Sequence, residues 1–177
     1  MNFIKDFEDY INYFRDLSEA SSYFKFFQAG GAERIVSERL LSDGRSRIES
    51  PLMFCEWPFI KINDYGTGNT LSRYTGAIVI LENPDKDDWQ KQDDAMNSTY
   101  KAVLQVINKM KVDNAGLDKR FLYFDLNLIS IDPIENLMID QWYGWRCEFT
   151  VLCPVDIATD PYCLDEAFWN KTEVMLT

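Results

Sequence analysis

The sequence contains no histidine among its 177 residues, so carboxylates, thiols and a few lysines are left as the side chains that could carry chemistry. A Ser-His-Asp triad, a Cys-His pair, an HExxH zinc site and a histidine pH switch are all excluded. Metal-dependent phosphodiester cleavage is the reaction class that needs no histidine. It uses spaced carboxylates and often a lysine, as in a PD…(D/E)xK pattern, yet no lysine here has an acidic residue two positions before it. Asp125 and Asn127 on a strand, with Asp132 close behind, could hold a divalent cation. The same spacing is what the solvent side of an ordinary strand shows, and the sequence assigns no metal site.

The other polar clusters are equally short of a reaction. Asp87-Asp88 and Asp93-Asp94 are paired carboxylates, but polar neighbours surround them and nothing separates their pKa values for acid–base work. They read as solvated surface or as a charge patch for a basic partner. Gly66-Thr67-Gly68-Asn69 is a GxG without a third glycine or a following helix, and no Gly-Lys dipeptide exists, so no phosphate loop is present. A hairpin tip is the expected structure, and such tips often make contacts in assemblies. Trp142, Tyr143 and Trp145 could stack on bases or sugars. With a net charge of -11 they are assigned instead to core and subunit interface.

That charge also disfavours nucleic acid and anionic membrane surfaces, because both need clustered Lys and Arg. Cys55, Cys147, Cys153 and Cys163 show no CxxC spacing, and a chain this rich in core residues has no need of disulfides. Buried, reduced thiols are expected. No cofactor is implied. The N-terminus lacks an apolar signal region and no run approaches the ~18 apolar residues of a membrane span. The expectation is a cytoplasmic protein.

The elements that must position these residues follow from periodicity. Phe3, Phe7, Tyr10, Ile11, Phe14 and Leu17 form one stripe of a helix over 2–17, expected to dock on a sheet. Residues 18–31 read as a junction and 32–42 as a second short helix. Residues 51–63 read as a strand, with Pro58 marking an edge or bulge. A polar loop at 64–69 joins it to a buried strand over 73–82. A long helix over 84–112 starts with Pro84 and carries the stripe Trp89, Met96, Tyr100, Val103, Ile107 and Met110. Residues 121–131 are assigned as a strand with Phe124, Leu126 and Leu128 inward, followed by a Pro-containing turn. In the strand 142–153, Tyr143, Trp145, Cys147, Phe149, Val151 and Cys153 share one face, opposite Arg146, Glu148 and Thr150. The fold class is α+β: a mainly antiparallel sheet with helices packed on one face, in the order α-α-β-β-α-β-β. The whole chain, 1–177, is one domain, with an acidic extension over 154–177.

Three features taken together resemble the tail terminator and tail completion proteins of tailed bacteriophages and prophages. They are the α–β–β–α–β–β order, the sequence FIKIND–loop–GAIVILE leading into the long helix, and the closing ISIDPIENLMIDQWYGWRCEFTV. The resemblance covers roughly residues 1–155. It implies a non-enzymatic structural protein that forms a ring, usually a hexamer, on the finished tail tube. Its partners would be the tube and head-completion proteins, first in the bacterial host cytoplasm and then in the virion tail. Exposure, rather than transfer from the family, suggests Tyr65, Thr67, Asn69, Asp87, Asp88, Trp142, Arg146 and Glu148 for subunit or tube contacts. An alternative of a different class is an acidic inhibitor or DNA mimic bound to a basic partner, supported by the carboxylates at 82–94 and 156–166. A divalent-metal enzyme using Asp125 and Asp132 is a third.

Overall fold

A computed structural model describes residues 3–32, 48–64, 70–85, 87–116, 119–137 and 142–155. The order is α1 (Phe7–Ala20), β1 (Phe26–Gly30), β2 (Leu52–Glu56), β3 (Phe59–Asp64), β4 (Thr70–Glu82), α2 (Trp89–Ala115), β5 (Tyr123–Phe124), a 3-10 turn (Leu126–Leu128), β6 (Ser130–Leu137) and β7 (Trp142–Pro154). The class is α+β, with a mixed, mostly antiparallel sheet of seven strands. The order β1-β2-β4-β7-β5 runs across it. β3 lies beside β4 on the β2 side, and β6 lies beside β7 on the β5 side.

α1 begins where the Asp6 carboxylate accepts the Asp9 amide at 2.8 Å, a side-chain cap on an otherwise unpaired donor. Its stripe docks in part: Tyr10, Ile11 and Phe14 are buried, with Tyr13 beside them, whereas Phe7 is exposed, and Phe14 packs on Phe149 of β7. α2 starts at Trp89, not at Pro84. The Asp88 carboxylate caps it by accepting the Lys91 amide at 3.2 Å. Its buried seam is Ala95, Thr99, Ala102, Val103, Val106 and Met110. Small side chains on this seam let the helix approach the sheet closely. Trp89, placed in the stripe by periodicity, is instead 83% exposed, and Tyr100 stands at the rim against Trp145.

The described helices cover one face of the sheet. Beneath them lie Met53, Cys55, Tyr74, Ile78, Ile80, Cys147, Phe149, Val151 and Cys153. The alternation expected for 142–153 is therefore present: Cys147, Phe149, Val151 and Cys153 point to the helices, and Trp145 and Tyr143 continue the row. The opposite face carries a second apolar cluster of Leu52, Phe54, Val79, Leu81 and Trp142.

Several expectations are corrected. Among the described residues the order is α-β-β-β-β-α-β-β-β, with three strands more than the expected α-α-β-β-α-β-β; the second helix expected at 32–42 falls almost wholly outside the described residues. The supposed junction contains β1, which runs parallel to β2. The strand 51–63 divides at Trp57-Pro58 into β2 and β3, because proline cannot continue the ladder there. Residues 121–131 are not one strand. Asp125 accepts the Asn127 amide and turns the chain, so Leu126 and Leu128 are exposed rather than inward. Much of the supposed Pro-containing turn is β6.

Cys55, Cys147 and Cys153 are free and buried, and burial pushes each thiol from about 9 up to about 12. Between those values the folded chain holds protons that the unfolded chain has lost. Their contribution to stability is thus complete below about pH 9 and is lost as pH rises toward about 12. Denaturant midpoints should fall steadily between pH 8.5 and 10.5, and a Cys153→Ala variant should show a shallower fall. Identical slopes would contradict buried thiols.

Candidate functional site

The face opposite the described helices carries an ion network. Arg146 on β7 donates from Nε and Nη2 to the two carboxylate oxygens of Glu56 at 2.9 and 2.8 Å, and from Nη1 to Glu148 at 3.0 Å. The Glu56 bonds, then those to Glu148, hold the guanidinium charged well above its already high range, against the opposing effect of burial. Asp132 on β6 lies in register with Arg146. This arrangement ties β2 to β7 across β4. It presents no free nucleophile and no acid–base pair.

Asp125 and Asp132 are not brought together. Asp125 accepts from the Asn127 amide and side chain, both at 2.8 Å, and from the Tyr123 hydroxyl at 2.9 Å. The Asn127 backbone bond, above all, lowers its pKa. Its acceptor positions serve a local turn. Among the described residues no three His, Cys, Asp or Glu side chains are placed to share a metal ion.

Of the residues singled out for contacts, Tyr65, Thr67 and Asn69 lie outside the described residues. Asp87 is exposed. Asp88 caps α2 and pairs with Lys91 at 3.3 Å, and the Lys91 amide bond lowers its pKa. Trp142 is buried in the second apolar cluster, and Arg146 and Glu148 belong to the ion network. β4 and β6 flank β7 on both sides at Arg146 and Glu148, so neither residue sits at a sheet edge.

Further exposed apolar residues lie on the two outer edges. On the β3 side Phe59 is 72% and Ile62 54% exposed. Ile60, Trp57 and Phe7 join them, with Trp57 edge-on to Phe7 at 6.2 Å. On the β5 side Tyr123, Leu126 and Leu128 are 43–56% exposed, and Leu122 lies beside them. The Pro58 break was the available signal for the first edge. The second gave none, since Leu126 and Leu128 fit an alternating buried strand.

The edges also share a level. Pairing runs Ile60–Tyr74–Val151–Phe124 in one row and Lys61–Arg73–Leu152–Tyr123 in the next. Two unlike apolar patches thus stand at opposite ends of the same rows. No protein-family model matches the sequence, and no curated protein matches it either.

Proposed function

We propose that this chain is a non-enzymatic structural protein of a phage or prophage tail. In this reading it forms a ring that ends the tail tube and joins it to the head or neck. The observation that carries the ring is the pair of unlike apolar edges on the same rows of one sheet. Unlike patches associate head to tail, and a head-to-tail contact makes a ring when the rotation closes and a filament when it does not. Edges at one level along the strands can be joined without displacement along the strand direction, which favours closure. Exposed Phe, Ile, Leu and Tyr side chains at this density mark a contact surface. The tail assignment rests on the resemblance of the FIKIND, GAIVILE and YGWRCEF segments and their order around the long helix.

Blocking one edge at a time tests the reading. Ile62→Glu spoils the first edge and Leu126→Glu the second. Each variant alone should stay monomeric, while an equal mixture should give dimers and stop there, because every dimer ends in two spoiled edges. Purified tail tubes should be capped by the parent chain and by neither variant. An Ile62→Glu chain that still assembles like the parent would overturn the ring reading.

A further inference from the structure

We infer that the sheet continues from copy to copy, with β3 of one chain pairing antiparallel with β5 of the next. This rests on the ring reading and adds its main-chain geometry. Among the described residues β3 has one strand neighbour, β4, and β5 has one, β7.

Hydrogen-bond alternation shows which backbone groups are left over. The Val155 amide donates to the Thr70 carbonyl at 3.2 Å, so even-numbered residues of β4 bond toward β7 and odd-numbered ones toward β3. Thr75, Arg73 and Leu71 therefore use the main-chain groups of Phe59, Lys61 and Asn63. Those of Ile60 and Ile62 point out of the sheet. No proline interrupts them, and their side chains are apolar and exposed. Unprotected edges of this kind accept strands.

The other side is open only in part. The Leu152 carbonyl accepts the Leu122 amide at 2.8 Å, so even-numbered residues of β7 face β5 and β6. Asp132 and Ile134, opposite Arg146 and Gly144, bond inward, which turns Ile131 and Pro133 outward. Pro133 has no N–H to offer, and charged Asp132 and Glu135 flank it, so β6 is closed to a further strand. β5 carries no such block.

Direction and charge agree with this pairing. β3, β4, β7 and β5 alternate in direction, so β3 and β5 run oppositely. Rotation about an axis along the strands preserves that, and the new pair is antiparallel. With no shift along the strands, exposed Lys61 meets the Tyr123–Asp125 hydroxyl–carboxylate pair of the next copy, which is complementary in charge.

Position-specific cross-linking of the full chain tests the inference. In an antiparallel pair, facing Cα atoms lie about 4.5–5.5 Å apart, within reach of a disulfide. A chain carrying both Lys61→Cys and Tyr123→Cys should give a covalent ladder up to the full ring on mild oxidation. The parent chain should give none, and a mixture of the two single variants should give covalent dimers only. Both positions are exposed, and unchanged thermal midpoints confirm that the variants fold. Rings seen by imaging without cross-links would overturn the strand pairing and leave the ring standing. Cross-linking of Lys61→Cys to itself would overturn it in favour of a two-fold contact. Absence of both rings and cross-links would remove both proposals.

Discussion

Replacing Gly144 with alanine is expected to destabilise the chain by about 3–5 kcal/mol, the upper range for single substitutions. Gly144 lies in β7, opposite Leu81 of β4 and Ile134 of β6. A Cβ built there would stand 1.9 Å from the Ile80 carbonyl oxygen, 2.9 Å from its carbon and 3.1 Å from the Leu81 Cα. All three are backbone atoms of a central strand with neighbours on both sides, so relief requires β4 and β7 to part. Gly76 makes the useful contrast. A Cβ there meets the hydroxyl of Tyr10 at 2.0 Å, which is the end of a side chain, although a fully buried one. Gly76→Ala should cost less than Gly144→Ala. At about 2–4 °C per kcal/mol for a chain of this size, the Gly144 variant should melt about 10–15 °C lower. An unchanged denaturant midpoint for Gly144→Ala would refute the close β4–β7 approach.

The second large effect is expected at Arg146. Glu56 keeps 10% of its side chain exposed, against 45% for Glu148. Truncation to Arg146→Met strands the Glu56 charge in a nearly dry site, and breaking a buried pair from one side costs about 3–5 kcal/mol. Glu148→Gln removes a mostly exposed partner and should cost about 0–1 kcal/mol. Converting both buried partners, with Glu56→Gln and Arg146→Met together, should recover much of the loss, because no uncompensated charge remains. Equilibrium unfolding of the parent, Arg146→Met, Glu56→Gln and the double variant gives the coupling directly. If Arg146→Met and Glu148→Gln cost the same, the bidentate Glu56 contact is not the one that matters.

Both effects depend on pairings that a linear reading only partly reaches. The alternation in 142–153 gave β7 and its inward face correctly, and the aromatic stripe of α1 gave a docked helix, because there the large residues are the buried ones. The same weighting placed Val103 and Met110 in the seam of α2 correctly and missed its small residues. Ala95, Thr99 and Ala102 are buried because they are small, and Trp89 is exposed because the chain has not yet reached the sheet. Leu126 and Leu128 fit a strand in sequence, but Asp125 bonds its own turn and breaks the alternation. β1 has no alternating signature, and its parallel partner lies more than twenty residues away. Trp142, Arg146 and Glu148 were singled out on exposure, which only strand order decides: β6 and β4 enclose their strand. Pro58 did signal an edge, and the strand that follows it is the outer one beside β4.

The proposed ring closes through the two edges of the sheet. Light scattering from micromolar to millimolar concentration, with negative-stain imaging of the same samples, tests it most directly. The prediction is a discrete species of about six subunits, near six times the 20.7 kDa chain mass, seen as closed rings with a central opening. A chain that stays monomeric across that range, or stops at a two-fold dimer, would contradict it.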